Sequence, residues 1–237
     1  MAKKNCVHIM GYVDRLVQEN EGKLYFTVKI RKNKNKFVYP TVEIYTKKFP
    51  NWIELAKEKM VIIEGSIKTD SKEVIVDCPK CARRYKDRQV ITTIVAQKMF
   101  IVDAKTEESY INKVMILGAV CKEVDFKYME STYSKVANMK YQIAVNGKEA
   151  TDSNYPWIST FAKQAEEDKK RIQVGSQIMV EGELITRYIN KEYSCECGQI
   201  VKSSYGQTEV SGTAVEYLNN CKFDEEEGNR LKKAISL

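Results

Sequence analysis

The sequence predicts an all-β protein made of two tandem five-stranded barrels, each with a short helix between its third and fourth strands. Three observations carry that expectation. The 237 residues hold many short runs rich in Val, Ile, Tyr and Thr, bounded by polar or glycine-bearing turns, a strand pattern rather than a helical one. The stretch Ser176-Gln-Ile-Met-Val-Glu-Gly-Glu-Leu-Ile-Thr-Arg187 is echoed by Lys59-Met-Val-Ile-Ile-Glu-Gly-Ser-Ile-Lys-Thr69, with an apolar run reaching Glu-Gly in both. The surroundings of the two stretches match as well, which marks an internal duplication. A glycine inside a strand pattern signals a bulge or bend, as small barrels require.

In chain order, 5–13 alternates and bends at Gly11 as a first strand. A turn at 19–23 leads to a second strand at 24–30, and Arg31-Lys-Asn-Lys-Asn-Lys36 is a polar, basic loop. A third strand covers 37–45. Phe49, Trp52, Ile53 and Ala56 recur at helical spacing, so 48–58 is expected to be a short amphipathic helix. The Glu64-Gly65 stretch is the fourth strand, a cysteine loop spans 77–86, and 90–102 is the fifth strand. Three strands, a helix and two strands is the order of the OB-fold, a small barrel used widely for oligonucleotides.

After a polar linker at 105–109 the order restarts. Gly118 takes the role of Gly11 in a strand at 114–120, and 139–145 is the second strand. Tyr155-Pro156 corresponds to Tyr39-Pro40 and Phe161 to Tyr45; a helix over 161–171 is capped at its exit by Gly175. The Glu181-Gly182 strand, a second cysteine loop at 193–198 and a last strand at 208–218 complete the copy. The expected domains are 1–104, 110–221 and a mixed-charge tail, 222–237.

No run of about 18 apolar residues exists, which excludes a membrane-spanning helix. Met1-Ala-Lys-Lys-Asn5 has no apolar segment behind it, so no secretory signal is expected, and the seven cysteines fit reduced thiols or metal ligands in a cytoplasm. The net charge of +7 is uneven: 1–104 carries 21 Lys+Arg against 12 Asp+Glu, and 105–237 carries 18 against 20. The first half is therefore the one suited to a polyanion.

The second half resembles the bacterial single-stranded DNA-binding proteins. The resemblance rests on Asn112-Lys-Val-Met-Ile-Leu-Gly118, Lys127-Tyr-Met129, Lys140-Tyr-Gln-Ile-Ala-Val145, Phe161-Ala-Lys-Gln-Ala165, the run 174–187 and Thr208-Glu-Val210, over nearly all of 112–220. The first half is similar in outline only. The resemblance implies OB-folds that coat exposed single strands in replication and recombination, without a cofactor for binding. It implies four barrels per particle, which two copies of this chain would supply as a homodimer. The family typically has one barrel per chain and an acidic tip; two barrels, together with an ending Lys232-Lys-Ala-Ile-Ser-Leu237 that resembles no such tip, look more like a plasmid, phage or other mobile-element version.

Gripping a single strand without reading its sequence requires cations for phosphates and flat rings for bases. In the first barrel Tyr25, Tyr39 and Tyr45 stand among Lys29, Arg31, Lys32, Lys34, Lys36, Lys47 and Lys48. In the second, Tyr141, Tyr155, Trp157, Phe161 and Tyr188 accompany Arg187 and Lys191, with Tyr193, Tyr205 and Lys202 nearby. Period two puts Tyr155 and Trp157 on one strand face; the resemblance places the family's stacking positions at Tyr155 and Phe161. Phe26, Trp52 and Phe100 are expected in the core.

Cys78-Pro-Lys-Cys81 has metal-ligand spacing, and Cys195-Glu-Cys197 offers a second half-site. Four thiolates would suit structural zinc, shared if the two loops meet; exposed thiols, or sites completed between chains, are the alternatives. Cys6, Cys121 and Cys221 are expected as small core residues.

One histidine, His8, and the absence of a phosphate loop or nucleophile elbow argue against an enzyme. Asp14 and Asp125 are the only hint of a nuclease. The other alternative to single-strand binding is an adaptor whose grooves hold protein partners.

Overall fold

The computed structural model describes residues 5–33, 36–102, 110–130, 135–145 and 153–222, excepting the side chains of 17–20 and 33. Lys34, the 105–109 linker and the tail beyond Lys222 lie outside the described residues.

The first repeat consists of β1 (Asn5–Asn20), β2 (Lys23–Asn33), β3 (Lys36–Val38), β4 (Thr41–Tyr45), β5 (Met60–Asp77) and β6 (Arg84–Val102). Alternation along β2 buries Leu24, Phe26, Val28 and Ile30 and turns Lys23, Tyr25, Lys29 and Arg31 to the opposite face. Antiparallel pairs join β1 to β2 and β5, β2 to β4, and β5 to β6. The barrel closes through a parallel pair, β4 with β6, where Val42 stands opposite Ile94. Ile9, Phe26, Ile44, Ile63 and Ile94 fill its interior.

The second repeat follows the same plan with β7 (Ile111–Val120), β8 (Asp125–Glu130), β9 (Lys135–Ala144), β10 (Trp157–Phe161), α1 (Ala162–Arg171), β11 (Gln177–Ser194) and β12 (Ile200–Asn219). Its closing pair is also parallel, β10 with β12, Ile158 opposite Val210. The duplication is visible in four glycines where strands crowd. A Cβ on Gly11 would lie 2.5 Å from the Lys29 carbonyl oxygen, and one on Gly118 2.6 Å from that of Ala144. A Cβ on Gly65 would lie 2.5 Å from the Val95 oxygen, and one on Gly182 closer still to that of Ser211. Register at Gly65 shifts, Glu64 facing Lys98 and Gly65 facing Ala96, which leaves Gln97 as a bulge.

Several expectations need correcting. The helix over 48–58 is replaced by two 3-10 turns, Thr46–Lys48 and Pro50–Glu54. Pro50 takes the first position of the second turn, where its missing N–H costs nothing, and Phe49 before it sits at φ −126°, ψ 74°, outside the helical region, so no α-helix runs through from Lys48. The buried residues of this segment are Phe49 and Leu55, while Ile53 is 76% exposed. Phe100, expected in the core, is 59% exposed, and Trp52 is half-buried. Pro40 divides the third strand into β3 and β4. Strands four and five of each repeat run well past their expected ends, so β5–β6 is a long hairpin paired from Met60↔Val102 to Asp77↔Arg84.

Two compact units follow contacts rather than repeat order. One holds Cys6–Val114 together with Leu184–Glu209, the distal part of the β11–β12 hairpin. The other holds Met115–Glu183 and the chain from Val210. The units change at 114/115, 183/184 and 209/210, whereas the expected domain boundaries, read from the sequence repeat, are at 104 and 110.

In the second unit α1 is anchored by one buried carboxylate. Asp168 is fully buried and accepts hydrogen bonds from Thr160 Oγ1 at 2.6 Å, Tyr217 OH at 2.6 Å, Gln164 Nε2 at 2.9 Å and Tyr141 OH at 3.4 Å. Burial raises its pKa above the ordinary aspartate value despite these four donors. No helix among the described residues is long and apolar enough to cross a membrane.

Candidate nucleic-acid interface

On the first unit, rings and cations share the outward face of β2–β3–β4. The Lys29 ammonium lies 4.3 Å from the centroid of Phe37, whose ring is 6.5 Å from that of Tyr39 and tilted 48° to it. Lys23 Nζ stands 5.2 Å over Tyr45. Phe37, Tyr39 and Tyr45 are all exposed, as are Lys36, Lys47 and Lys48. Arg31 and Lys32 are half-exposed on β2, and Tyr110 OH donates to the Lys32 carbonyl at 3.5 Å. Tyr25 is half-buried on the same face; burial and the neighbouring Glu43 push its phenol pKa up. Glu43 is 1% exposed and is paired with Lys23 at 3.2 Å and Lys68 at 3.9 Å.

Beside Tyr39 opens a cleft of about 400 Å³ whose lining includes Arg15, Thr41, Ile91, Tyr188 and Tyr205. The Tyr39 N–H donates to Thr186 Oγ1 at 3.2 Å, fixing the first repeat's third strand against β11. Tyr188 is 71% exposed, a free ring at the cleft. Asp14 is the sole carboxylate of the lining, and Asp125 belongs to the other compact unit, where it pairs with Lys127 at 3.7 Å.

Other sequence-predicted cations are committed to protein partners. Arg187 reaches the buried Glu209 carboxylate at 3.8 Å, and Lys202 pairs with Glu192 at 3.0 Å. Lys191 pairs with Asp87, which is 1% exposed and also accepts from Ser203 Oγ at 2.9 Å. Burial opposes the charge on Asp87, but the Lys191 and Ser203 hydrogen bonds outweigh it and hold the carboxyl below its usual range.

On the second unit, Trp157 presents a half-exposed ring with Lys140 Nζ 4.8 Å and Lys122 Nζ 5.8 Å from its centroid. Trp157, Ser159 and Phe161 share a face with Gln142, Lys140 and Asn138, which stand opposite them. Tyr155 is exposed just before β10, its carbonyl accepting from Gln142 Nε2 at 2.8 Å. Tyr141 is a correction: it is 0% exposed on the opposite face, so it belongs to the core and offers no ring to a base. Sequence reasoning missed Phe37, Lys122 and Lys140. Lys140 was readable, because Met139, Tyr141, Ile143 and Val145 alternate inward and leave Lys140 on the opposite face.

The cysteines form a centre within the first unit. The sulfurs of Cys78, Cys81, Cys195 and Cys197 all lie within 4.8 Å of one another, with Cys78–Cys197 at 3.6 Å and Cys81–Cys195 at 3.5 Å. Four thiolates about 2.3 Å from a common zinc would stand about 3.8 Å apart, so the donor set fits that ion. Each half-site is a tight turn: Ala82 N–H donates to the Cys78 carbonyl and Gly198 N–H to that of Cys195, both at 2.9 Å. Gly198 sits at φ +81°, where a side chain is disfavoured. The Tyr85 hydroxyl lowers the Cys195 thiol to about 6, whereas Cys197, despite the Gln199 backbone hydrogen bond, is pushed up to about 12 by its hydrogen bond with Cys195. Cys6, Cys121 and Cys221 are each half-buried rather than core.

The family model for the single-strand binding protein family matches residues 111–211. The single-stranded DNA-binding protein of Onion yellows phytoplasma (strain OY-M) is 32% identical over 83 residues, 35% of this chain and 78% of that protein. Among solved structures, a deletion variant of the single-stranded DNA binding protein from Thermus aquaticus aligns with a TM-score of 0.67 and 16% identity, covering 95% of this chain and all of that one. The wild-type Thermus aquaticus protein aligns with a TM-score of 0.63 and 14% identity, over 94% and 97%. These alignments carry the fold across both repeats, whereas the sequence match is confined to the second. With that identity extending over most of its phytoplasma relative, the chain belongs to the single-strand binding protein family.

Proposed function

We propose that the protein binds single-stranded DNA with little sequence preference, protecting it during replication and recombination and removing its secondary structure. One observation carries this reading: exposed or half-exposed rings with lysines set over or beside them, Phe37–Tyr39 with Lys29 and Trp157 with Lys140 and Lys122. Such layers let bases stack and phosphates pair without base-edge contacts, which is what sequence-tolerant binding needs. Tyr39, Tyr45, Tyr155, Trp157, Phe161 and Tyr188 are the proposed stacking residues. Lys29, Arg31, Lys32, Lys36, Lys47 and Lys48 are the proposed phosphate contacts. Arg187 and Lys191 serve the site by holding Glu209 and Asp87.

In this reading each repeat, 1–104 and 110–221, contributes one barrel, and a homodimer supplies four. The protein acts in the cytoplasm and catalyses no reaction. Zinc is the ion proposed for the four cysteines, in a structural role away from the strand.

The test is titration with fluorescent oligo-thymidine at several salt concentrations, beside duplex of equal length. Tight, salt-sensitive binding to the single strand alone is expected. Equal affinity for duplex would overturn the reading, and divalent-metal-dependent cleavage of the probe would replace it with a nuclease.

A further inference from the structure

We propose that the four-cysteine centre is the outer clamp of the tyrosine cleft, so that zinc held there raises affinity for single-stranded DNA. This rests on the single-strand reading above and adds control of the same site by a metal. The β5–β6 and β11–β12 hairpins are not neighbours in strand order, so no backbone ladder joins them and side chains alone hold them together. Long two-stranded hairpins are marginal without a partner to pack against.

Those side chains form a column leading from the sulfurs to the cleft. Next to the cysteines, the rings of Tyr85 and Tyr193 stack at 5.3 Å, interplanar angle 26°, with buried Val201 and partly buried Val76 packed beside them. Two residues further along β6, Asp87 takes hydrogen bonds from Lys191 of β11 and Ser203 of β12. Lys191 also donates to the Arg88 carbonyl at 3.1 Å and stands 5.6 Å from the Tyr205 ring. The next residues on the same strands, Gln89–Thr92, Thr186, Tyr188 and Tyr205, line the cleft with Tyr39. Period two keeps 85, 87 and 89 on one side of β6, so the column is continuous.

At its far end the column stops at the sulfurs. Four bonds to one ion would tie chain segments over a hundred residues apart, and binding energy of that kind becomes folding energy. Without it, the outer ends of the arms are held by the stacked pair with its valines, by the exposed Arg83–Glu196 ion pair, by the hydrogen bond from Lys80 Nζ to the Cys197 carbonyl at 3.3 Å and by the Asp87 cluster, contacts that solvent weakens at the rim. Tyr188 and Tyr205 then lose their fixed position relative to Tyr39, and the strand must order them on binding, at a cost in affinity.

The experiment uses the full chain purified without added metal. Zinc per chain is measured, cobalt is substituted to look for a tetrahedral thiolate spectrum, and oligo-thymidine is titrated before chelation, after it under reducing conditions, and after zinc is restored. We expect one zinc per chain, affinity reduced about tenfold or more on removal, the equivalent of one or two base stacks, and recovery with zinc. Retained far-UV circular dichroism shows that the barrels stay folded. Cys81→Ser should match the zinc-free protein and ignore added zinc. Should chelation unfold the chain, Tyr193→Ala decides: it cuts the column but leaves all four cysteines, so zinc should stay bound while affinity falls. Bound zinc with unchanged affinity in both tests overturns the coupling, and no zinc or cobalt signal overturns the centre. Zinc-loaded protein that ignores oligo-thymidine overturns the underlying single-strand reading instead, an outcome the metal assays distinguish.

Discussion

On its fourth strand the first repeat has Gly65 crowded by the Val95 carbonyl, and the second has Gly182 crowded by that of Ser211. Both glycines let a neighbouring carbonyl approach where any side chain would collide. The closing strands are parallel in both repeats as well. What hangs on this shared backbone differs. The first repeat carries its rings on β3 and around Pro40, exposes its lysines and fills the 48–58 connection with 3-10 turns. The second carries Trp157 on β10 and seats a true helix on the buried Asp168. The comparison teaches that strand closure restrains the backbone tightly, while the outward face and the connection between strands three and four vary freely on it.

Substitution at the crowded glycines should have the largest effect. Gly182→Ala should destabilise the protein by about 3 kcal/mol or more and Gly65→Ala by somewhat less, since overpacking against backbone has no flexible side chain to yield. Urea unfolding midpoints check this, and a Gly182→Ala midpoint at the wild-type value would break the equivalence of the two strands. Next come the rings. Trp157→Ala and Tyr39→Ala should each weaken oligo-thymidine binding by about 1–3 kcal/mol, whereas Tyr141→Phe should leave affinity alone. If only one of the two alanine variants loses affinity, one repeat does the stacking.

The two buried carboxylates should respond to pH with opposite sign. The folded-state pKa of Asp87 is depressed, so its contribution is present above the ordinary aspartate value, about 3.9, and lost as pH falls through the folded one. That of Asp168 is raised, so stability falls as pH rises from about 3.9 through its folded value. Asp87→Asn should flatten the acid loss of stability, and Asp168→Asn should flatten the loss on the rising side, both measured as denaturant midpoints against pH. The smallest expected effect is electrostatic: Lys29→Ala or Lys36→Ala should each lower the salt dependence of binding by about 0.7 in log–log slope. Unchanged slopes would assign the phosphates to other cations.

Strand order, the duplication and the pairing of the two cysteine loops were legible because period-two alternation and Glu-Gly are local signals. The 48–58 connection misled, because apolar spacing suggested a helix, and Pro50 bars helical geometry only at Phe49, so the 3-10 turns that follow were not readable from that pattern. Tyr141 misled for another reason: it adjoins the outward Lys140, and only alternation through Met139 and Ile143 tells its inward face. The grouping of Tyr39 with Tyr188 and Tyr205 was not legible at all. It depends on hairpin lengths and on a hydrogen bond between residues 147 apart, which no local pattern encodes.

The membership of 184–209 in the first compact unit also bears on the order in which the chain acquires structure. Synthesis delivers Cys78 and Cys81 long before Cys195 and Cys197, so the amino-terminal barrel emerges with two waiting thiols and an uncovered Tyr85. Contacts this distant in sequence close slowly. The nascent first repeat is thus an unfinished body, and a fragment ending near residue 104 should expose reactive thiols and tend to aggregate until the later hairpin is supplied.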